Sequence, residues 1–233
     1  MIRLERSSSA WMYTRDRAPL RRRGDGTAPY RHRAGTSSTV RVGLLIPLSG
    51  PAGLWGPSCQ SSAMLAAAEI NEAGGLLGRE LELVLADAGG DPDQVAAAAV
   101  DLIEDSGVEA IVGMHISAVR LALVQALRGR VPYVYTPVYE GGESRRGVFL
   151  VGETPQRQLR PAIAWLSEHR RAQRWFLVGN DYIWPRVTHR AGVEFIAASG
   201  GRVVGEEYLP FGTEDFEACL QCIAEARPDV VLV

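Results

Sequence analysis

The 233-residue chain contains no lysine: all 25 of its basic residues are arginine. A P-loop needs a lysine at its phosphates and a Schiff-base enzyme needs one as nucleophile, so both classes are excluded. Cysteine is scarce as well, with Cys59, Cys219 and Cys222 alone. Three scattered thiols build no disulfide framework. Cys219 and Cys222 form a C-x-x-C, but inside "FEACLQCIAEA", whose apolar spacing is helical and which has no further cysteine or histidine beside it. No metal site is expected, and the thiols read as small buried hydrophobes. Long apolar runs are missing too, since no stretch approaches the roughly 20 residues of a membrane span.

What charge there is lies unevenly. Residues 1–40 hold nine arginines against Glu5, Asp16 and Asp25, while the whole chain carries −2. The remainder is therefore acidic, which argues against a direct nucleic-acid surface in the folded part. Residues 1–39 read as a disordered basic tail. They contain "RRRG" but no apolar signal run, so the chain as written reads as cytoplasmic. A different start would make it periplasmic or extracellular.

From residue 40 a regular rhythm begins. "VRVGLLIPL", "RELELVLAD", "EAIVGM" and "VPYVYTP" have the β-branched, apolar character of strands, and helical patterns separate them. "DPDQVAAAAVDLIEDSG" shows the boundaries best, with Asp91 as cap, proline in the first turn and glycine after the last. The rhythm restarts with "GVFLVGET", "RWFLVGN", "RVVGEEYLP" and "DVVLV", again with helices between, the first of them interrupted by Pro161. Such alternation predicts an α/β fold of two Rossmann-like lobes with parallel sheets. Two runs of four strands place the lobes at 40–140 and 141–233, with residues 140–147 crossing between them. The chain ends on a bare apolar strand, so the second lobe is expected to be C-terminally incomplete. That strand is also an edge on which copies of the chain could associate into a homo-oligomer.

In open α/β sheets, ligands bind beyond the carboxyl ends of the strands. This selects "PLSGPAGLWGPS", "DAGGDP", "GMHIS", "YTPVYEG" and "GNDYIWPR". Ser117 opens a helix, as a cap or as an anchor for a carboxylate or carbonyl oxygen. Tyr135 and Tyr139 flank "TPV". Aromatics make up only 7% of the chain, so Tyr182 and Trp184 within one turn stand out. They are either a plug over the turn or a wall for a small polar ligand. His115 has no triad partner at a recognisable spacing, and a structural histidine is expected. Asp87, Asp91 and Asp181 suit caps and turn ends, with no acid/base pair among them. Gly50, Gly53 and Gly56 make G-x-x-G-x-x-G, not the dinucleotide fingerprint. No cofactor is implied.

Residues 40–233 resemble the type I periplasmic-binding-protein family. "VGLLIPLSGPAGLWG", "AAAEINEAGGLLGRELELVLADAGGDPDQ" and "AIVG" are similar to the opening of leucine/isoleucine/valine-type receptors. "DAGGDPD", "YTPVYEG" and "GNDYIWPR" resemble its amide-sensor and urea/amide-binding branch. The resemblance implies a cleft between two lobes that closes on a small amide, urea or amino-acid-like ligand without transforming it. Ser117 falls on the branch's helix-start serine, Tyr135 on its first tyrosine and Tyr182 on the tyrosine of its "DYIWPR". Trp184 takes an aromatic position, and Thr136 offers the threonine of the "Y…YEG" segment. Such a receptor serves either as an amide sensor holding an antiterminator protein or as the substrate-binding component of an ABC permease. The sensor is the reading preferred from sequence. A nucleotide-dependent α/β enzyme and a non-binding interaction domain are the rivals.

Overall fold

A computed structural model describes residues 37–233, together with two short strands nearer the start, β1 (Leu4–Ser7) and β2 (Ala10–Tyr13). These two pair antiparallel within the tail expected to be without structure. Trp11, Met12 and Tyr13 suit an extended pairing. The rest of residues 1–36 lies outside the described residues.

The body then alternates as its apolar pattern requires. In order come β3 (Thr39–Ile46), a 3-10 turn at Gly53–Trp55, α1 (Gly56–Glu72), β4 (Glu80–Asp87), α2 (Pro92–Ser106), β5 (Ala110–Gly113), α3 (Ser117–Leu127) and β6 (Tyr133–Tyr135). They are followed by β7 (Val148–Leu150), α4 (Pro155–Arg170), β8 (Arg174–Asn180), α5 (Ile183–Ala198), β9 (Arg202–Leu209), α6 (Glu217–Ala226) and β10 (Val230–Leu232). The boundaries of α2 are the predicted ones. Asp91 accepts the N–H groups of Asp93 and Gln94, and Gly107 ends the helix with a left-handed φ of 64°. Its Val95, Ala99 and Ile103 recur at helical spacing and are buried. Pro161 does not break α4, which runs through it.

One sheet has the order β4-β3-β5-β6-β7 and another β10-β8-β9. β3 lies parallel to β4 and β5, and β8 parallel to β9 and β10. The expected division into four and four strands is corrected to five and three, because β7 joins the first sheet. It is only three residues long, and the N–H of Tyr133 donates to the carbonyl of Gly147 just ahead of it. A strand so short carries no pattern that assigns it to a sheet.

Two compact units result. One comprises Met1–His115, Ala122–Val134 and Arg145–Phe149; the other comprises Ile116–Leu121, Tyr135–Ser144 and Leu150–Val233. Leu45, Ile103, Ile111, Leu123 and Leu127 centre the core of the first. In its loops, a Cβ on Gly89 would stand 1.9 Å from the Ser49 carbonyl, so only glycine lets the turns after β3 and β4 meet. Asp87 ties the same turns by accepting the N–H groups of Leu48 and Gly89, each at 2.8 Å. Burial opposes its charge, but the bonds from Ser49, Gly89 and Leu48 outweigh this and hold its carboxyl below the usual range. The second unit's core is Ile163, Ala172, Trp175, Leu177 and Ile196, with Val203 and Val230 packed against it.

Candidate functional site

The polar cluster of the second unit begins with the start of α3. Ser117 is its first residue and Arg120 stands three positions on, so both side chains share one helix face. The chain then supplies residues 135–143 from the end of β6. Gly152 lets this segment settle, since a Cβ there would lie 1.8 Å from the Pro137 carbonyl. The N–H of Tyr139 donates to the Glu153 carbonyl at 3.0 Å and that of Val151 to the Tyr135 carbonyl at 3.2 Å. The segment is thereby fixed on both sides of Pro137.

Fixing it brings Glu140 under the helix start. The Ser117 hydroxyl donates to Glu140 Oε2 at 3.0 Å, and Arg120 donates to Glu140 Oε1 at 3.1 Å and to Glu143 Oε2 at 2.8 Å. Side-chain exposure is 3% for Arg120, 8% for Glu140 and 7% for Glu143, so the ion pairs are buried. The guanidinium carbon also lies 5.7 Å from the Tyr135 ring centre and 5.9 Å from that of Tyr139. Tyr135 OH is 3.5 Å from Ser117 Oγ. Arg120 Nε is buried without a hydrogen-bond partner. Burying these charges is expensive, and the attraction within the group offsets that cost only while it stays complete.

The two tyrosines are held as neutral phenols. Burial pushes Tyr135 up to about 12, the Glu140 charge adding to the shift and the Ser117 bond and Arg120 opposing it. Tyr182 is likewise pushed up to about 12, by burial and then by Glu140. Both hydroxyls keep a proton to donate at physiological pH.

Tyr182 occupies the position before α5, with no cap bond from its side chain, and its ring lies 5.0 Å from that of Phe211 at a 41° tilt. Trp184 was expected on the loop; α5 begins at Ile183, so it stands in the first helical turn, half-buried. Asp181 does not cap this helix. It accepts from Arg186 Nε at 2.7 Å, and the Arg186 guanidinium lies 4.2 Å from the Tyr208 ring centre. His189 Nδ1 is 3.1 Å from Tyr208 OH, which donates to Glu206. The turn at 179–186 is thus braced from β9, while Tyr182 is left to the cluster.

Sequence order puts Ser117 and Tyr135 in a lobe ending at residue 140. The structure gathers Ser117, Tyr135, Thr136, Tyr182 and Trp184 in one unit, because the unit boundary cuts through α3 and β6. Thr136 follows β6 and is half-buried. His115, in the other unit, is buried with Nε2 3.1 Å from Tyr133 OH, the structural role expected of it. Arg120, Glu140 and Glu143 were missed. The three-residue step from Ser117 to Arg120 was a usable signal; nothing in sequence pairs either with position 140. Among the described residues, no group of three or more His, Cys, Asp or Glu could hold a metal ion.

Among known proteins, a family model described as periplasmic binding protein matches residues 39–233. The chain is similar to the Leu/Ile/Val-binding protein BraC3 of Rhizobium johnstonii, 28% identical over 196 residues, which are 82% of this chain and 53% of that protein. A shorter likeness, 36% over 77 residues, links 33% of it to 20% of a leucine-, isoleucine-, valine-, threonine- and alanine-binding protein of Pseudomonas aeruginosa. The branched-chain amino acid transporter substrate-binding protein LivJ of Streptococcus pneumoniae, solved with isoleucine, superposes with a TM-score of 0.71 at 25% identity, over 80% of this chain and 54% of that one. An R. palustris solute-binding protein solved with 4-hydroxybenzoate shares the fold, with a TM-score of 0.70 at 24% identity over 83% and 53% of the two chains. The chain spans about half the length of the relatives that it matches along most of its own length.

Proposed function

The chain belongs to the periplasmic binding protein family, and from that premise we propose that it is the solute receptor of an ABC-type transporter, holding a small polar organic molecule without transforming it. The observation that carries this reading is that one unit holds Ser117 on the buried Glu140 carboxylate, the Tyr135 hydroxyl 3.5 Å from that serine, and Tyr182 within reach of the Glu140 charge. Neutral phenols and a serine orient a polar ligand by hydrogen bonds, and the aromatic rings enclose it. The ligand class is a small amino acid, or an amide or urea of similar size. The partner that takes it onward is an ABC permease. An amide sensor working through an antiterminator is the narrower alternative. The relatives found are named for amino acids or aromatic acids and for transport, which favours the transport role.

Isothermal titration of the purified chain with isoleucine, leucine, acetamide and urea tests the reading, with NMR of the recovered ligand. Saturable heat with at least one of them and an unaltered ligand is expected. Protein-dependent hydrolysis, or no heat with any of the four, would overturn it.

A further inference from the structure

A serine hydroxyl has one proton to give and two lone pairs to offer. In this protein the proton of Ser117 is already committed, because Glu140 Oε2 at 3.0 Å is a carboxylate oxygen and can only accept. Tyr135 OH stands 3.5 Å away, and the serine has no second proton to offer it. What Ser117 has left is a lone pair.

The charge around it points the same way. One guanidinium, Arg120, faces two carboxylates, Glu140 and Glu143, and all three side chains are more than nine-tenths buried. The one guanidinium is shared between the two carboxylates. The positive end of α3, where an anion would otherwise be welcome, is occupied by the chain's own Glu140.

We propose that Glu140 sets the polarity of this site: it fixes Ser117 as an acceptor, so the solute presents an N–H there, from an amide, urea or ammonium nitrogen, and a carboxylate is turned away. The inference rests on Ser117 belonging to the solute site, and it names the chemical group that Ser117 meets. A carboxylate at the same place would find no proton on the serine and a like charge behind it. Specificity then comes as much from this repulsion as from the bond that the N–H makes. The amide and its parent acid have almost the same shape, so they separate polarity from fit.

The test is a competition titration of the full chain with acetamide, urea and acetate, each against the wild type and Glu140→Gln. The amide that replaces the carboxylate has nearly the same size but can donate to Ser117 Oγ, which frees the serine proton for a ligand and removes the charge. The wild type should prefer acetamide and urea over acetate. In Glu140→Gln that preference should fall by at least about tenfold, the scale of one buried group left unpaired. Ser117→Ala cannot accept but keeps the Glu140 charge. It should weaken acetamide and urea more than acetate and so lower the preference in part, and it reads the same question if Glu140→Gln unfolds the chain. A wild type that prefers acetate, or a preference unmoved in both variants, overturns the inference while leaving the receptor reading intact. Binding of none of the three by a folded wild type overturns the inference. If isoleucine and leucine also fail to bind, the receptor reading falls with it.

Discussion

The two units of this protein solve burial differently. In the first sheet, β3 has the pattern of a strand covered on both faces, with Leu44, Leu45 and Ile46 in succession almost wholly buried. In the second, β9 and β10 hold no fully buried residue, and Val231 is 39% exposed. There the apolar core centres where α4 and α5 meet β8, with Phe176 and Cys219 buried besides. Yet this less covered unit is the one that buries an arginine with two glutamates. The proposed binding chemistry sits where apolar packing is thin, and the buried charges beside it are part of what the unit must keep satisfied.

The largest way to break this contrast is at Arg120. Arg120→Met takes from the buried Glu140 and Glu143 the guanidinium that both bind, which should cost about 3–5 kcal/mol. Urea unfolding monitored at the tryptophans reads the loss. A loss below roughly 1 kcal/mol, the range of exposed pairs, would mean that the triad is not a buried unit.

Next comes the contrast between the cores. Leu45→Ala in β3 should cost about 2–5 kcal/mol, as large-to-small changes in closed cores do. Val231→Ala in β10 should stay within roughly 0.5 kcal/mol, as at other half-exposed sites. Hydrogen exchange should show the first change opening β3, β4 and β5. Equal costs at the two positions would erase the distinction drawn between the sheets.

The smallest effect is a dependence on pH in the second unit. Burial lowers the His189 imidazole below 6.5, with the Glu206 charge opposing. The fold therefore favours the neutral ring, and the unfolded chain takes up its proton first as pH falls through 6.5. Stability contributed at this site is present above that pH and declines below it. His189→Gln should flatten this slope in the urea midpoint, measured beside the wild type. A slope of opposite sign would show that Glu206 and the Tyr208 bond outweigh burial.

The alternation of strands and helices was legible in the sequence because each element is long enough to repeat its pattern, as α2 does with its cap, its buried stripe and its closing glycine. β7 was not, for three residues cannot declare which sheet they join. The site divides in the same manner. Ser117, Tyr135 and Tyr182 stood out at strand ends and a helix start, where ligands bind. Glu140 and Arg120 were not singled out, and only the fold, bringing together residues 20 apart in sequence, turns them into a buried pair. Asp181 shows the converse, a residue of capping type that finds a better partner in Arg186.

The central claim is that one unit holds a small solute on Ser117 and the phenol of Tyr182. It is tested most directly by titrating the wild type, Ser117→Ala and Tyr182→Phe with whichever of isoleucine, leucine, acetamide or urea binds. Tyr182→Phe keeps the ring and removes one hydrogen bond, so a loss of about 0.5–1.5 kcal/mol in affinity is expected, with Ser117→Ala also weakened. Unchanged affinity in both folded variants would place the solute elsewhere and leave these hydroxyls as structural groups.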